Sequence, residues 1–430
     1  MKPVTEHLNP GVTQRDLVGW AMYDFANSGY ATVVLTAVFS AYFVGVVAAN
    51  ATWATLAWTV ALSLSHALVM LSLPVVSAWA DRHAAKKRAL AISTLGCVVC
   101  TAGLASVGAG DVAWALVLIV ASQLFFAYGE SLSAAFLPEL APPPSMGRVS
   151  AWGWAWGYVG GMLTLGLCLA YVFWAQARDL GAGHFVPITM LITAAVFGLA
   201  SGVTFACLRE RAVAQAPTHS RPSVWGGVAQ WRNTWAEVSA QPAFVWLLAC
   251  TVAYQAGVAV AIALAAIYAQ TVMGFETTET MLMVFVLNIA AALGALVLGH
   301  GQDRFGHRRA LALTLVVWCI TCVWAALAAD KLSFWGAATL AGLSMGASQS
   351  CGRAMVGLFA PPDRLAVYFG GWTFAVRLAS VLGPLLYGLV TWGSGGNQRL
   401  ALASTAGLFV LGLLLLTQVH MPALASVKRG

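Results

Sequence analysis

Residues Gly19 to Phe43 read GWAMYDFANSGYATVVLTAVFSAYF, and the understanding of this stretch decides the fold. At 1.5 Å per residue it is long enough to cross the ~30 Å hydrocarbon of a bilayer as one helix. Yet Asp24 and Asn27 lie inside it. On a helix Tyr23, Asp24, Asn27, Tyr30 and Ala31 share a face, at spacings of three, four and seven. A carboxylate near the middle of a membrane helix costs ~2.5–3.5 kcal/mol on insertion scales, so it is expected to face a bundle interior or a water-filled cavity. Counted from Leu17, where the helix is expected to start, Asp24 lies ~10 Å deep. The competing reading is an interfacial Asp whose side chain reaches the headgroups.

The rest of the chain has the same character. Sixty per cent of its 430 residues are hydrophobic and 9% are charged, with a mean hydropathy of +0.80. A soluble domain would carry ~25% charged residues, so this is a polytopic membrane protein. Met1 to Asp16 is polar and the first apolar run is too long for a signal peptide, so none is expected. The eight cysteines fall inside apolar runs, and the pairs Cys97/Cys100 and Cys319/Cys322 lack nearby His or acidic ligands. No metal is expected there. Nor is there a P-loop or nucleotide motif, so no cofactor is expected and ATP is excluded as energy source.

Charges and turn residues divide the chain into twelve apolar segments. They run approximately Leu17–Ala48, Ala54–Ala80, Ala89–Gly108, Val112–Leu137, Val149–Trp174, Val186–Leu208, Ala243–Thr271, Met281–Gly299, Ala310–Ala328, Phe334–Leu358, Ala366–Trp392 and Leu400–His420. With the N-terminus inside, seventeen of the 22 Lys and Arg fall on the cytoplasmic side. Arg178, Lys331 and Arg399 fall outside, and Arg353 and Arg377 lie within the membrane. This bias predicts cytoplasmic termini and accounts for the net charge of +7 without nucleic acid. The expected setting is a bacterial inner membrane.

Two halves repeat. Asp81-Arg82 recurs as Asp303-Arg304, 222 residues on, and Ala141-Pro142-Pro143 as Ala360-Pro361-Pro362, 219 residues on. The expected units are a six-helix bundle over 1–208, a linker over 209–242 and a second six-helix bundle over 243–430. Trp225, Trp231 and Trp235 suit an amphipathic linker helix on the membrane surface.

Several stretches resemble a known family. Tyr23-Asp-Phe-Ala-Asn-Ser28 in a first membrane helix is similar to the signature of the autophagy-related vacuolar amino-acid effluxers and their bacterial relatives, a branch of the major facilitator superfamily. Phe136-Leu-Pro-Glu-Leu140, Arg148-Val-Ser-Ala-Trp-Gly153 and Gly157-Tyr-Val-Gly-Gly161 resemble the same branch, as does Gly346-Ala-Ser-Gln-Ser-Cys-Gly-Arg353. Ser133-Ala134 stands where the branch carries Tyr-Asn, and Ala256 where it favours Asp. Gly299 to Arg309 matches the superfamily's GxxxDRxGxRR loop, whereas the first copy, Ser77 to Lys87, replaces both glycines. The resemblance implies an all-α fold of twelve transmembrane helices in two pseudo-symmetric bundles, and alternating-access transport. It also implies that Asp81, Arg82, Gly299, Asp303, Arg304 and Arg308 form a conformational latch, in which an Asp meets a helix N-terminus.

In that fold helices 1, 4, 7 and 10 line a central cavity. The expected substrate-binding residues are Tyr23, Asp24, Asn27, Gln123, Glu130, Tyr254, Gln349 and Arg353, with Asp24 and Glu130 as proton carriers. Arg353 needs an anionic partner, either a protein carboxylate or the substrate's own. Acids on one half and an arginine on the other complement a neutral amino acid or similar zwitterion. Arg377 is expected in a structural ion pair on a peripheral helix. Proton-coupled export by a monomer embedded in lipid is therefore the leading expectation. Sugar or amphipathic-drug transport and a non-transporting sensor are the competing ones. No Ser-His or Cys-His pair sits at a spacing that would suit an enzyme.

Overall fold

A computed structural model describes residues 4–49, 51–212, 232, 235, 236 and 238–422. Among these residues there are twelve long helices and no strand. In lipid a spanning segment must satisfy its own backbone, which only a helix or a closed barrel can do. The first helix, α1, is Gln14–Tyr30 and runs on through the wider turns of Ala31–Ala37 to end at Val47. The rest of the first half is α2 Ala54–Arg82, α3 Lys86–Gly103, α4 Val112–Ala134, α5 Met146–Gln176 and α6 Ala182–Cys207. The second half is α7 Pro242–Thr271, α8 Thr277–Phe305, α9 His307–Leu327, α10 Lys331–Phe359, α11 Leu365–Gly393 and α12 Gln398–Leu416.

Eleven of these helices are long and apolar enough to cross a membrane. The twelfth, α10, falls short because its interior face is polar: Ser344, Ser348, Ser350 and Arg353 are all buried. Large apolar side chains such as Leu56, Leu71, Leu199, Val297 and Leu414 are more than half exposed. That inversion of the usual pattern marks a surface facing lipid. Of the linker tryptophans, Trp235 packs edge-on against Phe374 of α11 at 4.9 Å, while Trp225 and Trp231 lie outside the described residues.

Helices α3, α6, α9 and α12 pack within their own halves, whereas α5 crosses to α8 and α10, and α11 crosses to α2 and α4. The first-half pair α1/α5 has its counterpart in α7/α11, and the crossing pair α5/α8 in α11/α2. Glycines set these approaches. A Cβ on Gly160 would strike the Phe25 carbonyl of α1, and one on Gly383 would strike the Ala256 carbonyl of α7. Helices without side chains at such points come close enough for dispersion contact along their backbones.

The two Asp-Arg motifs are not loops. Helix α8 continues through Asp303 to Phe305, turns on Gly306 at φ +92°, and restarts at His307. Helix α2 continues through Asp81 to Arg82, and Ala84 takes a left-handed φ of +48° before α3 begins. Gly306 and Ala84 are 222 residues apart. The alanine therefore accepts a conformation that costs its glycine counterpart nothing.

Candidate functional site

Each Asp of these motifs faces a helix start on the other half. Asp303 accepts hydrogen bonds from the Gly147 and Arg148 N–H groups at 2.9 and 3.1 Å, at the N-terminus of α5. Asp81 accepts from the Ala366 and Val367 N–H groups at 3.0 and 2.9 Å, at the N-terminus of α11. Both carboxylates satisfy donors with no partner inside the helix and meet its positive end. Gly299 lies against Ala151, where a Cβ would collide with the alanine methyl. At the equivalent point of the other interface Ser77 lies against Gly370, where a Cβ would be 2.6 Å from the serine Oγ. The glycine has moved to the opposite helix, and the close approach is kept.

The other expected latch residues differ in role. Arg308 donates to the Thr417 carbonyl at 3.0 Å, closing the end of α12 within its own half. Arg304 is exposed and Arg82 half-buried. The same basic face carries a network around the first half that spacing did not suggest. The buried Lys86 pairs with Glu139, whose other oxygen accepts from the Arg211 N–H at 2.9 Å. Glu210 accepts from the Lys86 and Lys87 N–H groups at 2.7 and 3.0 Å, capping α3. Burial pushes the Glu210 carboxyl above its usual range despite those bonds.

Deeper between the halves lies a cavity of about 100 Å³ whose wall includes Asp24, Asn27, Glu130, Trp154, Arg353 and Trp372. Arg353, 3% exposed, gives Nη1 to Asp24 Oδ2 at 2.6 Å. Its Nη2 donates to the Ser150 carbonyl at 2.7 Å and its Nε to Ser150 Oγ at 3.2 Å. The guanidinium lies over the rings of Trp20 and Trp154, at 4.7 and 5.3 Å. Gly153 leaves room for this pair, since a Cβ there would meet both Asp24 and Arg353. Arg377 pairs with Glu130 and lies 5.9 Å from the Phe126 ring. Helix α11, expected at the periphery, thus supplies a charge to the centre.

The remaining expected residues divide. Asn27 lines the cavity beside Asp24. Tyr23 and Tyr30 form the adjacent stripe of α1 and turn into the first half. Tyr23 packs against Gly129 and Phe197 and accepts from Thr94 at 3.3 Å, and Tyr30 meets Ser122 at 2.8 Å. Gln123 is buried on α4. Gln349 accepts from Gln255 at 2.7 Å and does not meet Glu130, its equivalent by the repeat. Tyr254 is buried with its hydroxyl against Gly352. Ser150, Trp20 and Trp154, which hold Arg353, were not expected. They fall in or beside the quoted Arg148–Gly153 stretch and the start of α1, where their spacing alone carries no charge signal.

The sequence profile of a family described as vacuole effluxer Atg22 like matches residues 41–423. The chain belongs to this family. The match begins beyond Tyr23–Ser28, so membership of the Atg22-like family rests on the remainder of the chain. This Atg22-like chain is 29% identical over 410 residues to the uncharacterized MFS-type transporter YxiO of Bacillus subtilis (strain 168), spanning 93% of this chain and 94% of that protein. In fold it is similar to the human organic anion transporter MFSD10, with TM-score 0.75, 16% identity, and 94% and 99% of the two chains covered. It is similar also to the transporter FucP in its outward conformation, with TM-score 0.69, 12% identity, and coverage of 95% and 99%. A bacterial homologue of the iron transporter ferroportin in its outward-facing state gives TM-score 0.67, 14% identity, and 94% and 98%. The architecture is the major facilitator fold, and the chain is a multi-pass secondary transporter of that superfamily, not an enzyme.

Proposed function

We propose that this protein exports neutral amino acids or similar small zwitterions across a bacterial inner membrane, coupled to protons, with its basic face in the cytoplasm. The observation that carries the reading is the distribution of charge around the cavity. Both cations, Arg353 and Arg377, come from the last six helices, and both anions, Asp24 and Glu130, from the first six. Removing one member of a buried ion pair leaves a charge whose desolvation is uncompensated. A ligand of one sign cannot enter without creating that situation. A zwitterion can, because its carboxylate takes Arg353 as its ammonium takes Asp24, exchanging one pair for two. The guanidinium fork suits a carboxylate bidentately. Glu130, which pairs with Arg377 and is 30% exposed at its side chain, is then the carboxylate left to carry the proton.

With the basic face cytoplasmic, the two Asp contacts hold that side shut, which supports a state closed to the cytoplasm. Outward states are the ones in which FucP and the ferroportin homologue were seen. Export fits the description of the family as effluxers. The test is a thermal-shift screen of purified protein against amino acids, dipeptides, sugars and cationic drugs. A ligand at 100 times its Kd should add ~2.7 kcal/mol of stability. Stabilisation by sugars or by cations alone, with none from neutral amino acids, would overturn the zwitterion reading. The aromatic wall of Phe126, Trp154 and Trp372 makes stacked sugars the second candidate.

A further inference from the structure

The cavity wall holds three buried polar atoms with no hydrogen-bond partner: Trp154 Nε1, Trp372 Nε1 and Asn27 Oδ1. The charged groups around them are all engaged with one another. Trp372 is 4% exposed and Asn27 7%. An unmet buried donor or acceptor is costly, and native structures keep few of them without a reason. Unpartnered side-chain atoms occur elsewhere among the described residues too, but three belong to this one wall, and they differ in sign. Two donors come from α5 and α11, and one acceptor comes from α1. The Trp154 ring lies 5.3 Å from the Arg353 guanidinium, and Trp372 Nε1 is 3.8 Å from where Gly352, one position along the same helix, would carry a Cβ.

We propose that the indole N–H groups of Trp154 and Trp372 are binding groups for the substrate carboxylate, and that the Asn27 amide oxygen receives a hydrogen of its ammonium. The assignment rests on the zwitterion reading above and adds the groups that fix the ligand's orientation. A carboxylate has acceptor sites enough for a guanidinium and two indoles at once. It also explains how ligand binding reaches the gates. Helices α5 and α11 are the two whose N-termini are held by Asp303 and Asp81. One bound carboxylate would therefore tie together the helices on which both latches close.

The experiment uses the full chain in nanodiscs and three probes: L-leucine, 4-methylpentanoate, which lacks the ammonium, and leucinol, which lacks the carboxylate. Trp154→Phe and Trp372→Phe keep a ring and remove the donor. Each is expected to weaken L-leucine binding by about ten- to a hundredfold, the range for a hydrogen bond to a charged group. Leucinol binding should be unchanged, while the ligand-free melting temperature should fall modestly, because phenylalanine is smaller than the largely buried indole and, at position 154, a weaker cation–π partner for Arg353. Asn27→Ala should weaken L-leucine and leucinol but spare 4-methylpentanoate. Unaltered L-leucine affinity in both Trp variants would overturn the assignment, as would an equal loss of leucinol binding, which would show that the indoles do not act on the carboxylate. Should the protein bind 4-methylpentanoate but not L-leucine, and the Trp variants lose it, the zwitterion reading fails while the indole assignment stands. Binding of no carboxylate probe at all overturns both.

Discussion

The two gates at the basic face are near copies of each other, and the two ion pairs at the centre are not. At the gates, Asp81 of α2 accepts from two N–H groups of α11, and Asp303 of α8 from two of α5, all at 2.9–3.1 Å. Applying the repeat to one gate reproduces the other, down to a glycine and a small residue that have exchanged helices. At the centre the same operation fails. Glu130 corresponds to Gln349, which bonds an amide, and Arg353 corresponds to Ala134. Symmetry is kept at the contacts proposed to open and close, where either side would release the same kind of helix end. It is lost at the proposed binding site, where a ligand with two different ends would be recognised. The charge pairs also run one way, from cations on the second half to anions on the first, so the centre has a polarity the gates lack.

The largest effect should come from breaking that polarity. Arg353→Gln leaves Asp24 charged, and at 14% exposure there is little water to compensate it. Truncating one partner of a buried pair costs ~3–5 kcal/mol, and a loss near the lower end is expected in chemical denaturation of the reconstituted protein. Adding Asp24→Asn should restore most of it, because both desolvated charges are then gone. The same cycle at Arg377 and Glu130 should give a smaller penalty, since Glu130 is 30% exposed and can be solvated. Equal penalties at the two pairs would mean that burial does not set their difference.

A smaller effect sharpens the likeness of the gates. Gly370→Ala puts a methyl 2.6 Å from Ser77 Oγ, and overpacking of this kind costs ~1–3 kcal/mol. Combining it with Ser77→Gly recreates the Gly299–Ala151 contact of the other gate, and stability should return. Non-additivity is expected because the two sites touch. If the double variant is as unstable as Gly370→Ala alone, the interfaces are not interchangeable and the exchanged glycine is coincidence.

These contrasts also mark what could be read from residues alone. Spans, repeat and the Asp303 contact follow from hydropathy and motif, which depend on local composition. Within α2 alone the first copy lacks both motif glycines and reads as incomplete. The compensation lies 293 residues away at Gly370, and it appears only when Gly299 and Ala151 are compared with their repeat mates. The charge partners were less accessible still. A repeat offset names equivalent positions, but which side chains meet depends on how each helix is rotated and on which face of the transporter is closed. Thus Arg353 found Asp24, Glu130 found Arg377, and Gln349 found Gln255. Helical spacing placed Tyr23 beside Asp24, yet one position is a 100° turn, enough to carry the tyrosine out of the cavity and into the bundle.

The smallest expected effect is also the most direct test of gate equivalence. Asp303→Asn and Asp81→Asn each remove a charge facing a helix N-terminus and one of the two acceptor oxygens but keep the other, so folding should survive. Charge–dipole contacts of this sort contribute ~0.3–2 kcal/mol. Each variant should therefore raise the population open at the basic face by roughly two- to thirtyfold. Single cysteines placed on the two faces of a cysteine-free background would report the shift as a change in labelling ratio. Because Asp81 and Asp303 sit at separate interfaces and act on one common equilibrium, the free energies of the two variants should add in the double variant. Equal single effects that sum would establish two equivalent latches on one motion. A response to Asp303→Asn with none to Asp81→Asn would confine the gate to the α5/α8 interface, and the resemblance of the two ends would then be structural only.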